Sequence, residues 1–535
     1  MGKAAIKARP TADIASDALG SEELARQYAS QELVFGIVGH VGSGTSTIAE
    51  TLKSVLLGQD RNGKKYQCEI VKARKVIESW ADSQGESYPG SGHFTIAEVE
   101  RFQDLGDKMR ETKRDHAAVA RGAIVEIRTR RAEFQGVTPI DNEPVIPDGN
   151  PRAFIVDSIR HPAEVNLLRH LYGDGFVLVG VVCEQTVRKE RLSQKYRDAG
   201  LDAAEAFMDR DANAGQKHGQ RVSDAFHLSD YFLDNTAARY LDKDHRKANP
   251  HWDIVAGLTR LIKLVSHDEI ERPKIDETAM FEASGAAMRS ACLSRQVGAA
   301  LLDAKGNVVA TGSNEVPKAG GGVYGENFGN ESVDDRCFMG NKYCSNTREQ
   351  QAIAGAIFED IAKEMKNESD KASVVQRLRS GRIGELLEFS RAVHAEMDAL
   401  LAAGRKGAST VGCRLFVTTF PCHYCARHIV SAGVDEVQFI EPYPKSKAFS
   451  LHSDSIQNDN ADGKWEPPSE GGGKVLFRPF TGVAPRMYRR AFQKDRELKD
   501  KFTGSMQISP PEWGSPYDIS KSSYAEFEVT LTKGF

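Results

Sequence analysis

Residues 33–56 read LVFGIVGHVGSGTSTIAETLKSVL, and their order decides how the first half of the chain folds. Leu33 to Val38 is an apolar run of strand length. Gly39-His40-Val41-Gly42-Ser43-Gly44-Thr45-Ser46-Thr47 then turns the chain, and Ile48, Leu52, Val55 and Leu56 follow at helical spacing. Strand, glycine-rich loop and helix in that order form the context of a phosphate-binding loop, where backbone N–H groups and a helix N-terminus face an anion. Gly39, Gly42, Ser43, Gly44, Thr45, Ser46 and Thr47 are the candidate phosphate contacts, with Mg2+ accompanying a nucleotide there. The motif's lysine is missing, because Thr45 stands before Ser46. Without that ammonium, charge on a transferring phosphoryl group is less stabilised. Three readings stay open: nucleotide binding without efficient transfer, a working kinase, and a scaffold that binds nothing.

Outward from the loop, Ala153 to Val156 and Phe176 to Cys183 are further strand-like runs separated by helical stretches. Alternating strands and helices predict an α/β domain with a parallel sheet over 31–265, preceded by a polar arm at 1–30. Ser266 to Glu277 is charged, contains Pro273 and reads as a linker. Met280 to Cys292 reads as a helix, and Val297 to Leu302 and Val308 to Thr311 as strands joined at Lys305-Gly306-Asn307. A second domain spans 266–457, with a Gly/Asn/Asp-rich insertion at 318–350 of the kind that covers a site. Residues 458–535 form a C-terminal extension.

The chain has 535 residues, a formal net charge of −4, 40% hydrophobic and 27% charged residues, which places it among folded proteins of two to four domains. It has no global basic footprint for tight nonspecific nucleic-acid binding, although a local basic patch stays open. No apolar run approaches membrane-helix length, and Met1 to Ala15 lacks the apolar core of a secretory signal. Eight sparse cysteines predict a reducing, cytoplasmic setting.

The second constellation is His394-Ala395-Glu396 with Pro421-Cys422-His423-Tyr424-Cys425. This H-x-E…P-C-x-x-C pattern is a zinc-deaminase signature. Catalytic zinc takes three protein ligands and keeps one position open, which His394, Cys422 and Cys425 would satisfy. Glu396, two residues from His394, is then free for proton transfer, provided that its helix meets the metal at its first turn. A redox Cys-x-x-Cys and a structural zinc with His423 as fourth ligand are the alternatives. Cys337 and Cys344 in the insertion are candidates for a second zinc.

Residues ~278–445 resemble the deoxycytidylate deaminase branch of the cytidine deaminase fold. The resemblance rests on the zinc motif, Arg295-Gln296-Val297-Gly298-Ala299, Thr311-Gly312-Ser313-Asn314 and Leu415-Phe416-Val417-Thr418-Thr419. It implies a cytidine deaminase-like α/β/α domain in which Val297 lines the base pocket and Asn314 bonds the sugar hydroxyl. Glu315 stands where the family usually has Gly. Tyr443, Lys445 and Lys447 could meet phosphates or form a solvated face. In the first domain, Asp157-Ser158-Ile159-Arg160, Arg188, Arg191, Asp230 and Asn235 resemble nucleoside monophosphate kinases. The combination is similar to the bacterial anti-phage dCTP deaminases. That resemblance implies deamination of dCTP, and also dCMP, to deoxyuridine nucleotides, with dCTP depletion starving phage DNA synthesis. It also implies a homo-oligomer, a regulatory nucleotide at the loop and, in some relatives, a small inhibitory RNA. A housekeeping dCMP deaminase for thymidylate supply and a polynucleotide cytosine-editing deaminase are the other readings.

Overall fold

The computed structural model describes residues 30–507 and 521–532, apart from 62, 91–94, 141–142, 197, 199, 213–217, 243, 268, 326–335, 339–341, 363–370, 387–388, 444, 459–464 and 494–496. The arm, except Ser30, and parts of the 318–350 insertion and of the C-terminal extension therefore lie outside the described residues. Strand β1 (Glu32–Val38) is buried at every position, which its near-continuous apolar sequence requires. Leu33, Phe35 and Ile37 share a core with Ile48, Leu52 and Leu56 of the helix Thr45–Gly58 and with Leu258 and Leu261 of the helix Ile254–Ser266. Val34 and Val38 join a separate core with Ala123, Ile124 and Ile127 of the helix Ala118–Gln135.

Strands β2 (Gln67–Lys72), β3 (Arg152–Ile159), β4 (Phe176–Val182) and β5 (Tyr231–Asp234) complete a parallel set in the order β5-β4-β1-β3-β2. Ligand sites in such sheets gather at the carboxyl ends of the strands, where the glycine loop stands. The second sheet contains β6 (Gly298–Leu302), β7 (Val308–Ser313), β8 (Arg414–Thr419), β9 (Glu436–Glu441), β10 (Ile456–Gln457) and β11 (Val475–Pro479), ordered β10-β11-β9-β8-β6-β7. β6 runs antiparallel to β7 and β8, and the other neighbours run parallel. Both lobes are α/β.

The stretch after residue 458 joins both sheets. β11 pairs with β9, and after only Phe480 and Thr481 a two-residue strand β12 (Gly482–Val483) pairs antiparallel with Tyr231–Phe232 of β5. The helix Lys521–Thr532 then returns to the first lobe, where Glu528 accepts Arg131 Nη1 at 2.7 Å and Tyr172 Oη at 2.7 Å. Arg131, fully buried, also donates to Glu32 Oε2 at 2.9 Å, so two buried carboxylates share one guanidinium, and a second, Arg152, stands 3.6 Å from Glu32 Oε1.

The linker is shorter than its charge pattern suggests, because a helix already begins at Ile275 and runs to Ala287. Glu277 accounts for the early start. Its carboxylate accepts the Lys274 N–H at 2.7 Å, Arg260 at 2.6 and 2.8 Å, and the Val483 N–H at 2.9 Å. A residue that sequence reads as surface charge is therefore a buried junction between lobes. Among the described residues no helix is long and apolar enough to cross a membrane.

Candidate metal centre and phosphate loop

Strand β7 and the helix Ala395–Arg405 approach so closely at Gly312 that a Cβ there would lie 2.1 Å from Ala395 O. This contact seats the first turn of the helix over the sheet, with His394 in its N-cap position and Glu396 one residue inside. Cys422 takes the same N-cap position on the helix His423–Ser431, with Cys425 in its first turn. Two helix starts converge, as a two-residue His–Glu spacing demands. Nδ1 of His394 lies 3.3 Å from Sγ of both Cys422 and Cys425. Their donor atoms lie within 4.8 Å of one another, and these three residues form the one such group of His, Cys, Asp or Glu among the described residues. His423, the candidate fourth ligand, is outside that set, and among the described residues Cys337 and Cys344 gather no third donor.

The electrostatics fit a soft divalent cation. Hydrogen bonding from Cys425, then from His394, pulls the Cys422 thiol down to about 4. The Cys422 contact raises His394 to about 9, against the opposing effect of burial. Cys425 is held far above the usual thiol range, first by its bond to Cys422 and then by burial. A thiolate held against an imidazolium exchanges its neighbouring protons for a metal when one binds. One imidazole and two thiolates are a zinc donor set. Burial pushes the Glu396 carboxyl up to about 7, where it can both accept and return a proton near neutral pH.

A cavity of about 380 Å3 leads from this corner to the surface. Glu396, Cys422, Val297 and Asn314 line its inner part, and Arg295, Arg391 and Lys445 also line it. Asn314 Oδ1 accepts the Val297 N–H at 2.7 Å, and its Nδ2 donates to Arg295 O at 2.7 Å. The side chain that the resemblance assigns to a sugar also clamps the 295–297 loop. Glu315 turns inward, accepting N–H bonds from Ala291 and Val316 at 2.7 and 2.8 Å. Tyr443 and Lys445 line the cavity, whereas Lys447 caps a short helix, Ala448–Leu451. Lys445 Nζ also donates to Gly384 O at 3.3 Å, so the segment ahead of His394 meets the mouth. No spacing rule in the sequence reveals Arg391 or Gly384 as mouth residues.

The glycine loop stands between β1 and its helix as the sequence expects. Gly44 has a φ of 87°, and a Cβ there would lie 2.4 Å from Asn235 Nδ2, so glycine is required twice over. Asn235 Nδ2 holds the loop by donating to Ser43 O at 2.8 Å, and Ser46 Oγ donates to Asp157 Oδ2 at 2.7 Å. Gly42, Gly44, Thr45, Ser46, Thr47 and Asp157 all line one cavity of about 590 Å3. Gly39 and Ser43 are buried and do not line it, and among the described residues the Ser43 Oγ has no hydrogen-bond partner. Asp230 stays away from the loop. It accepts the Leu178 N–H and Arg169, each at 2.8 Å, and so ties β5 to β4.

Residues 273–441 match the family described as the cytidine and deoxycytidylate deaminase zinc-binding region. The deoxycytidylate deaminase of Enterobacteria phage T2 is 29% identical over 160 residues, which is 30% of this chain and 75% of that protein. A relative of another kind is a UPF0200/UPF0201 protein of Archaeoglobus fulgidus. It is 28% identical over 203 residues, or 36% of this chain and 58% of that protein's length. Among solved structures, the dCMP deaminase from cyanophage S-TIM5 in complex with dCMP and dUMP overlays 39% of this chain and 98% of its own. The TM-score is 0.21 at 18% identity.

Proposed function

We propose that this chain is a zinc-dependent deaminase of free deoxycytidine nucleotides, acting on dCTP and also on dCMP. The observation that carries the reading is the gathering of His394, Cys422 and Cys425 beside a buried carboxyl, Glu396, at the inner end of an open cavity. His394, Cys422 and Cys425 would hold the zinc. When bound, zinc supplies the Lewis acidity that makes water a nucleophile at neutral pH. Glu396 would take one proton from the attacking water and pass it to ring N3 as the oxygen bonds C4, then carry the proton of the resulting C4 hydroxyl to the amine as the C4–N bond breaks, so cytosine and water become uracil and ammonia. Its elevated pKa suits both halves of the shuttle.

Val297 and Asn314 form the wall that meets base and sugar, with Asn314 also keeping the 295–297 loop in place. Arg295, Arg391 and Lys445 supply positive charge for the phosphates. The first lobe is read as a nucleotide-binding regulator in which the loop's amides hold phosphate. Ser46 and Asp157 are the pair that a Mg2+ arriving with the nucleotide would use. Draining dCTP would starve a replicating phage of a DNA precursor, which is the defence that the sequence resemblance implies.

The test is to incubate the zinc-loaded protein with dCTP, dCMP, CTP and single-stranded DNA. Deoxyuridine nucleotides should form from dCTP and dCMP. The Glu396→Ala variant should lose about 10²–10⁴-fold in rate while keeping its zinc. Uracil appearing in DNA alone would overturn the reading, as would full activity in Glu396→Ala.

A further inference from the structure

The phosphate contacts read from the loop omit Val41 and Arg160, yet one buried carboxylate engages both. Asp211 stands near the end of the helix Leu201–Ala212 and is 1% exposed. Its Oδ2 accepts the Val41 N–H at 2.7 Å. Its Oδ1 accepts Arg160 Nη1 at 2.7 Å and Gln103 Nε2 at 3.4 Å. Arg160 Nη1 also reaches Gly39 O at 3.4 Å, which places the guanidinium against the glycine loop itself. Val41, Gln103, Arg160 and Asp211 line the same 590 Å3 cavity as Thr45 and Ser46.

A loop amide and a guanidinium converging on one oxygen pair are a donor set for a phosphate as much as for a carboxylate. The occupant here comes from the chain. Its charge also repels any phosphate that approaches the neighbouring amides. The helix that carries it is held mainly by a small satellite core. In that core Ala204, Phe207 and Met208 pack on Leu192, Tyr196 and Ile96, apart from the two cores that flank the first sheet. A segment attached in this way can withdraw at lower cost than an element of the main cores.

We propose that Val41 N–H and Arg160 form the seat of a terminal phosphate of a nucleotide polyphosphate, and that Asp211 is the built-in competitor for that seat. The phosphate enters as the carboxylate leaves, and the helix Leu201–Ala212 moves with it. No covalent bond changes. The inference rests on reading the first lobe as a nucleotide binder, and adds to it a gate and two ligand residues.

The test uses the full chain, with sodium tripolyphosphate and ATP as calorimetric probes. Asp211→Asn keeps the shape and removes the charge, and should bind both probes about tenfold more tightly than the unaltered protein. Arg160→Gln should bind them about tenfold more weakly. Equal or weaker binding by Asp211→Asn, or unchanged binding by Arg160→Gln, overturns the proposal. If Asp211→Asn does not fold, hydrogen exchange on the unaltered protein decides. Amides of 201–212 should exchange faster once tripolyphosphate is added, and unchanged or slower exchange overturns the proposal. ATP binding that neither variant alters would leave the nucleotide-binding lobe standing and remove this seat. Binding by no form of the protein would remove both.

Discussion

Two helix-start sites, one in each lobe, use the same architecture differently. In the second lobe, His394 and Cys422 cap two converging helices, and their donors face one another across 3.3 Å. In the first lobe, the loop's amides also open a helix, but Asp211 of the same chain already holds the Val41 amide and Arg160. One site is assembled before its ligand arrives, and the other is filled by an internal substitute. The difference follows from charge. Thiolate and imidazolium stabilise each other until a cation replaces their protons, whereas bare amides beside a guanidinium attract any carboxylate within reach.

The hardest test of the preassembled corner is removal of a donor. Cys425→Ser should cost nearly all zinc, by elemental analysis, and all measurable deamination, because three ligands are the minimum for a catalytic site. Retained zinc with lost activity would mean that Cys425 does not ligate. Next in size is the clip that closes the first lobe. Arg131→Met leaves Glu32 and Glu528 buried without their shared cation, and should cost about 3–5 kcal/mol in denaturant unfolding. Zinc content should be unaffected if the two sites are built independently.

Acid separates the lobes further. His161 is buried in a stack with His116, at a 4.9 Å centroid separation, and His116 stacks in turn on His218. Burial first, then Arg110, holds His161 down at about 3, well below the ordinary imidazole value of about 6.5. The unfolded chain therefore takes up a proton below about 6.5 that the folded lobe refuses. The stabilisation from neutral His161 is fully present above 6.5 and is lost as the pH falls toward 3. Peptide-resolved hydrogen exchange should show residues around 116–161 opening as the buffer moves from pH 7.5 to 5. Rising protection there would contradict this account. The smallest effect expected is at the cavity mouth. Lys445→Ala should raise KM for dCTP about three- to tenfold, with little change for deoxycytidine, since one partly screened cation is removed. Equal effects on both substrates would remove Lys445 from phosphate recognition.

Much of the fold was legible because periodicity and punctuation report local physics. β1, the glycine loop and the β6–β7 hairpin each carry their own signals in adjacent residues, and the structure places all three as read. The His-x-Glu spacing even implied that the metal meets a helix at its first turn, which is where His394 caps it. Glu277 was not legible, because an acidic residue in a charged stretch looks like surface until Arg260 and the Val483 amide close on it. The double membership of residues 475–483 was hidden for a similar reason, since which sheet a short strand joins depends on partners outside its own stretch, at 436–439 for the first strand and at 231–232 for the second.

Sequence by itself determined the types of elements, the candidate metal donors and the missing lysine, because each is read from residue identity within recognisable motifs. Tertiary structure alone decided that Asp211 sits on the loop, that Lys445 reaches the cavity of Glu396, and that the C-terminal helix clasps Arg131. Those contacts join residues distant along the chain. The Asp211 and Arg131 contacts draw their energy from burial and charge pairing that exist only once the chain has closed around them.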